Sequence, residues 1–298
     1  MIMTFDIGGT AIKYGLIRLE GNKPVIIYQQ EIDSNAKILK GKGIIKKVIE
    51  LVQQEIQKED IEGIAISTAG MVDAEKGSII YANENIPEYT GMQVKEIIER
   101  QFDIPCWVEN DVNAAALGET IFGAGKSAHN VFMLTIGTGI GGAVVLNHEI
   151  FHGSSGSAGE IGYMWLGEHH YQDISSTTAL VENVAKQTKE KGLNGKIIFE
   201  RAKNNDEICI KAIDDLCSNI VKGISNCICM LNPQTIILGG GIMMQRDYLE
   251  PIMKKYVNKY VNEALLETFN LEFASLGNHA GMIGAFAYWL KKEGRNFV

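Results

Sequence analysis

The chain writes one short unit twice. "FDIGGTAIKYGLI" (5–17) and "LTIGTGIGGAVVL" (134–146) each run an apolar strand into a tip of glycine and threonine and out along a second apolar strand. A supersecondary unit repeated at this distance implies two halves, each opening on a glycine-tipped hairpin. Glycine alone explains a tight turn between alternating strands. It does not explain Asp6, which stands among apolar neighbours in "MTFDI", where a buried carboxylate is costly unless paired or near a cation. A second reading gives each residue work: backbone N–H groups at Gly8 and Gly9 face a phosphate, Thr10 donates its hydroxyl, and Asp6 holds a hydrated Mg²⁺. On this stretch both readings stay open. In the second copy Thr135 stands where Asp6 does, and two such halves across a cleft would offer two backbone nests to one polyphosphate.

Periodicity fills in the rest. Alternation at 1–7, 11–19 and 24–32 predicts three antiparallel strands, and "GIIKKVIELVQQEIQ" (43–57) predicts a helix. Strand 61–70, helix 91–102, strand 104–111 and helix 112–123 follow before the pattern restarts near residue 130. Further on, "TIILGGGI" (235–242) is a strand ending in three glycines ahead of the helix "YLEPIMKKYVNKYV". Such a strand end lets a flat ligand such as adenosine approach the backbone; a helix-entry turn is the plainer reading.

The 298 residues suffice for two domains, and 46% hydrophobic content suffices for packed cores. A net charge of −8 gives nucleic acid little to attract it. No apolar run approaches the ~18 residues of a membrane span, and the N-terminus lacks a signal-like segment, so a cytoplasmic protein without nucleic-acid or membrane partners is expected. Five cysteines, four of them along one apolar-periodic stretch, fit reduced core thiols better than a disulfide framework.

Two glycine motifs mislead. "GTGIGG" (137–142) spells the dinucleotide fingerprint, but that motif must open a helix and "AVVLN" continues as a strand. "GAGKS" (123–127) ends like a Walker A loop, yet Thr120 replaces the first glycine and a helix precedes it. Three other stretches carry chemistry. "VENDVNAAALGE" (108–119) sets Asn110 and Asp111 between strand and helix; a helix cap needs only one of them, which leaves Asp111 to accept a hydroxyl proton and Asn110 to orient a substrate. "HGSSGSAGEIGYM" (152–164) presents Glu160 either as part of a capping box or as an acceptor for sugar hydroxyls. Asn83 and Asn85 in "YANENIPEY" are turn residues or polar ligands.

Together "FDIGGT", "END" before an Ala-rich helix, "TIGTGIGGAVV", "GSAGEIGYM", "ILGGGI" and "GNHAGMIGA" resemble, in order and approximate spacing, the ROK (repressor, open reading frame, kinase) sugar kinases over nearly the whole chain. The resemblance implies an α/β, two-domain hexokinase/actin-like ATPase fold, with ribonuclease H-like halves, a five-stranded mixed sheet in each and a central cleft. The first domain is expected over 1–118, completed by a C-terminal helix at about 283–298, and the second over 119–282. It implies ATP and Mg²⁺ as cofactors. Asp6, Gly8, Gly9, Thr10 and Lys13 would form the first phosphate site, with Asp6 reaching Mg²⁺ through water, and Gly137, Thr138, Gly139 and Gly141 the second. Gly239 and Gly240 would adjoin adenosine, Asp111 would be the catalytic base, and Asn85, Asn110, Asp111, Glu160 and Tyr163 would bind sugar. A homodimer acting on a small sugar or β-glucoside is expected.

The chain departs from the family where Tyr163 replaces a His that reaches both sugar and structural zinc, and where the zinc-binding cysteines are missing. No zinc site is expected, because His169, His170, Glu168 and Asp173 lie in a loop without cysteine. A smaller departure is "STAGMVD" (67–73), where the family has a proline before the glycine. Zinc-less relatives with this pattern look most like β-glucoside kinases, which phosphorylate the 6-hydroxyl of the non-reducing glucose in disaccharides such as cellobiose. Tyr163, Trp165 and Tyr171 then either pack a second pyranose ring or fill the space of the lost zinc module. A glucokinase or another hexose or N-acylhexosamine kinase is the alternative. A sugar-responsive regulator would need a DNA-binding module ahead of the phosphate loop, for which no room is expected before residue 6, and an actin-like ATPase would not need the Asn110, Asp111 and Glu160 set.

Overall fold

A computed structural model describes residues 1–295. The chain divides into two compact units, Met1–Ser127 with His148–Ala158 and the stretch from Ser275, and Ala128–Asn147 with Gly159–Ala274. Residues 119–127, 148–158 and 275–282 thus group with the first unit, whereas a boundary read from the sequence puts them in the second. Of the C-terminal helix expected at about 283–298, residues 296–298 lie outside the described residues.

In the first unit β1 (Ile2–Ile7), β2 (Ala11–Glu20) and β3 (Lys23–Asp33) form an antiparallel meander. After α1 (Ala36–Glu55) come β4 (Gly63–Thr68), a small hairpin of β5 (Met71–Asp73) and β6 (Ser78–Tyr81), α2 (Val94–Phe102), β7 (Cys106–Asn110) and α3 (Asp111–Phe122). The five-stranded sheet runs β3-β2-β1-β4-β7, with β4 parallel to both its neighbours. Strand parity decides which side each residue serves. Met3, Phe5 and Ile7 pack with Ile44, Val48 and Val52 of α1. Ile2 packs on the opposite side with Met282, Phe286 and Trp289, and Asp6 shares the parity of Ile2. The expected helix at 43–57 is preceded by a short helical stretch from Ala36, the two meeting at a break at Lys40 (φ 54°). There Gly41 N donates to Pro87 O at 2.8 Å, and a Cβ on Gly41 would lie 2.7 Å from Glu88 O, so a tertiary contact bends the helix.

The repeated hairpin returns as β8 (Val131–Ile136) and β9 (Ile140–Leu146), followed by β10 (Glu149–Ile150), β11 (Trp165–Leu166) and β12 (His169–His170). The helices α4 (Tyr171–Ser175), α5 (Thr177–Thr188), α6 (Gly195–Lys203) and α7 (Glu207–Leu231) precede β13 (Thr235–Gly239), α8 (Arg246–Tyr260), β14 (Asn270–Phe273) and α9 (Ala280–Lys292). The second sheet, also five-stranded and mixed, runs β10-β9-β8-β13-β14. "GTGIGG" leads into β9, a strand, and "GAGKS" follows α3, so neither serves as the nucleotide motif it spells. The apolar-periodic stretch is α7, whose Cys209, Cys217 and Cys227 are buried; all five cysteines are free thiols. Burial pushes the Cys217 and Cys227 thiols up to about 12.

Two helices of the first unit approach at backbone distance. An ideal Cβ on Gly284 of α9 would lie 1.7 Å from Ala114 O of α3, and one on Gly118 of α3 would lie 3.0 Å from Gly284 N. Gly284→Ala is therefore expected to force α3 and α9 apart and lower stability by about 1–3 kcal/mol, the ordinary cost of overpacking. The urea midpoint measures it; an unchanged midpoint would show that the two helices yield without cost.

Candidate functional site

The carboxyl ends of β1 and β7 carry the two acidic residues singled out by sequence. Asp6 faces α9, where Gly281 leaves the space it needs: a Cβ there would lie 2.7 Å from Asp6 Cγ. Ser67 Oγ donates to Asp6 Oδ1 at 3.0 Å, and Lys13 Nζ lies 3.9 Å from Oδ2. Desolvation raises the Asp6 carboxyl above its usual range, with Lys13 and Ser67 opposing. With Ser67 on one oxygen, Lys13 near the other and only part of its side chain open to solvent, Asp6 would fit contact with Mg²⁺ through water rather than direct ligation, since Mg²⁺ keeps several of its waters. Among the described residues no three His, Cys, Asp or Glu side chains gather as ligands for a metal ion.

Asp111 is the first residue of α3, and Asn110 is its N-cap. Asn110 Oδ1 accepts from Val112 N and Asn113 N at 2.9 and 3.0 Å, while Nδ2 donates to Gly70 O and Asp111 Oδ1, each at 2.9 Å. These four bonds fill the hydrogen-bonding capacity of the amide. The Asn110 side chain thus serves as both cap and brace for its neighbour. Asp111 Oδ1 also accepts from Val112 N at 2.9 Å. Desolvation first, and the charge of Asp6 second, push the Asp111 carboxyl up to about 7 against the lowering effect of these bonds. Asn85 lies beside the first glycine loop, its Cβ 3.0 Å from where a Cβ on Gly9 would be, and Asn83 Oδ1 accepts from Asn85 N, a turn role for Asn83.

The glycines at the two hairpin tips do not owe their identity to backbone strain. None of Gly8, Gly9, Gly137, Gly139 and Gly141 has a positive φ. Gly8 N donates to Ala11 O and Gly137 N to Gly139 O, so these two amides close their own turns instead of facing outward. Close packing bears on Gly9, where a Cβ would lie 3.0 Å from Asn85 Cβ, whereas nothing lies within 4 Å of a Cβ placed on Gly137. Thr10 is exposed beside its loop.

In the second unit Gly137 and Thr138 open onto a cavity of about 760 Å³. Phe199 and Ile242 give it an apolar wall, Glu182, Asn194 and Gln245 give it polar groups, and the first turns of α5 (Thr177, Thr178) and α6 (Gly195, Lys196) line it as well. Gly241 lines this cavity; Gly239 and Gly240 do not. Gly240 answers a backbone need, having φ 102° and a Cβ direction that would meet Ile136 O at 2.2 Å. The cavity's side chains come from α5, α6 and the segment after β13, and no spacing in the sequence joins them.

Glu160 and Tyr163 belong to the second unit, at the start and end of a single 3-10 turn. Glu160 is exposed and makes no side-chain cap, and Ser157 Oγ pairs with Ser155 Oγ, so the capping box does not form. Tyr163 and Trp165 are 60% and 63% exposed, with the His170 ring between them, 4.2 Å from that of Trp165. Tyr171 is different. It is fully buried and donates to Ile220 O at 2.7 Å, with Gly223 leaving room for its ring, so it cannot pack a ligand: the apolar face of α7 claims it.

The ROK family model matches residues 2–292, and the chain belongs to the ROK family. Its fold is the two-domain, hexokinase-like α/β fold of that family, with two mixed five-stranded sheets. It is 43% identical over 288 residues, 96% of each chain, to a Clostridium perfringens protein named Uncharacterized protein CPE0188. A Beta-glucoside kinase of Listeria innocua is 29% identical, with 99% of both chains covered. The ROK family glucokinase of Streptomyces griseus, solved in complex with glucose and AMPPNP, superposes with a TM-score of 0.82 at 25% identity, covering 98% of this chain and 99% of that one.

Asp111 gives a stability prediction with a definite sign. Its pKa is raised in the folded chain, so between about pH 4 and pH 7 the unfolded chain has released a proton that the folded chain keeps. Stability conferred below that window is lost as pH rises through it, at about 1.4 kcal/mol per unit of displacement. Asp111→Asn keeps the Oδ1 acceptor and removes the ionisation. Thermal melts should show the variant more stable than wild type at pH 8, with a gain that shrinks toward zero at pH 4; a gain independent of pH would refute the assignment.

Proposed function

We propose that this chain transfers the γ-phosphoryl group of ATP to a sugar hydroxyl, with Asp111 as general base. The observation that supports it most is the state of Asp111: a carboxylate held by its cap and helix N-terminus, with a pKa of about 7, where a general base works best near neutral pH. Phosphoryl transfer is mainly positioning and charge stabilisation. Asp111 takes the proton from the sugar hydroxyl as that oxygen bonds to the γ-phosphorus, and ADP leaves. Asn85, Glu160 and Tyr163 bind the sugar, and Asn110 keeps Asp111 oriented. Asp6, supported by Ser67 and Lys13, would hold the waters of a Mg²⁺ ion, which when bound would offset charge developing on the phosphates. The nucleotide takes the cavity at Gly137, Thr138 and Gly241, whose apolar wall suits a base and whose two helix N-terminal turns suit phosphates. The Streptomyces griseus glucokinase with AMPPNP supports the use of ATP.

For the acceptor we favour the 6-hydroxyl of the non-reducing glucose of a β-glucoside such as cellobiose. The exposed rings of Tyr163 and Trp165 support this, as does the likeness to the Listeria innocua enzyme. Likeness to the Streptomyces griseus glucokinase favours glucose as the second reading.

Two measurements test these assignments. Asp111→Asn should cut turnover on the order of 10²–10⁴-fold while leaving nucleotide affinity near that of wild type, and wild-type kcat/KM should fall below about pH 7 as Asp111 protonates. Near-normal turnover by the folded variant removes Asp111 from the role. An ADP-release assay across glucose, mannose, fructose, N-acetylmannosamine, cellobiose and gentiobiose should give a β-linked disaccharide a kcat/KM at least equal to that of glucose. Brisk glucose turnover with negligible disaccharide turnover leaves a glucokinase.

A further inference from the structure

The residue before the Asn110-Asp111 pair is a carboxylate that the chemistry above does not use. Glu109 is fully buried on β7, on the same strand face as Trp107. A carboxylate in that position has to be paired and hydrogen-bonded to be tolerated. Both its oxygens are taken. Oε1 accepts from Asn110 N at 2.8 Å and from Asn113 Nδ2 at 3.1 Å, and Oε2 meets His152 Nε2 at 2.7 Å. His152, 28% exposed, comes from the segment after β10, more than forty residues along the chain from Glu109.

We propose that His152 and Glu109 are positioning residues for Asp111, with His152 anchoring the Glu109 carboxylate that in turn fixes the backbone of Asn110 and the side chain of Asn113. This rests on the reading of Asp111 as the base. The connection is continuous: Glu109 holds Asn110 N, the Asn110 side chain caps α3, and its Nδ2 braces Asp111 Oδ1. Removing His152 leaves a buried carboxylate with an empty partner position. That carboxylate must then draw in water to replace the lost partner, which loosens its grip on the first turn of α3. The bond to Glu109 raises the affinity of His152 for its proton, and Glu75 adds to this while desolvation and Lys292 oppose it. Angular error at a general base lowers the rate of the chemical step without weakening substrate binding, so the loss belongs in kcat.

The test compares His152→Ala with His152→Gln, whose amide still donates to Glu109. In His152→Ala we expect kcat to fall about tenfold or more, KM for ATP and sugar to stay near wild type, and hydrogen exchange at the amides of Asn110, Val112 and Asn113 to quicken on the order of tenfold. His152→Gln should restore most of both. Wild-type kcat in His152→Ala, a loss confined to KM, or equal damage in the two variants overturns the proposal. Hydrogen exchange separates it from the activity reading. Quickened exchange in His152→Ala that His152→Gln reverses, in a wild type that phosphorylates no sugar, would support the positioning role and sink the sugar-kinase assignment. Unchanged exchange would sink the positioning role whatever the enzyme does.

Discussion

Everything about the acidic pair depends on how closely α9 can lie against the rest of its unit. Gly281 leaves the volume that the Asp6 carboxylate fills, and Gly284, one turn on, lets the backbone of α9 touch that of α3 at Ala114. One helix face with no side chains at these positions sets both the strand carrying Asp6 and the helix opening with Asp111. Dispersion across such a contact is gained only at van der Waals distance, and a single methyl group is enough to lose it. Trp289 adds the same lesson lower down, where its ring occupies the space a side chain on Gly63 would need.

That placement explains the electrostatics. Two carboxylates brought near each other in a poorly hydrated corner resist ionising together, and the Asp111 carboxyl answers by rising to about 7. Lys13 and Ser67 favour the charged form of Asp6, while Asp111 has an amide and two backbone N–H groups working to lower its pKa. The difference in partners gives two chemically identical groups different surroundings, one beside an ammonium and a hydroxyl and the other beside an amide and backbone N–H donors. Such an arrangement trades stability for chemistry, since each desolvated carboxylate costs the fold something that packing around α9 has to offset.

Much of the fold was legible because its signals are local. Alternation in "IMTFDI" and "VFMLTI" gave strands, the long apolar period around the cysteines gave α7, and Asn110 was recognisable as a cap from its place between strand and helix. The misses share a cause. The break within α1 lies at a contact between Gly41 and residues 87–89; Tyr171 looks like its aromatic neighbours in sequence but is taken by α7; and no local pattern assigns residues 275–282 to the first unit. Each depends on partners far along the chain, which periodicity cannot register.

The sequence by itself determined the two glycine-tipped hairpins and the presence of Asp6, Asn110 and Asp111 at strand ends, because strand parity, turn chemistry and capping act over a few residues. Only the tertiary structure decided what those residues became. It gave Gly281 and Gly284 of "GNHAGMIGA" their purpose as space for Asp6 and α3, engaged every hydrogen-bonding position of the Asn110 side chain, and joined His152 to Glu109 across more than forty residues. Space, desolvation and charge coupling belong to a whole neighbourhood of atoms, and that neighbourhood exists only once the chain has folded.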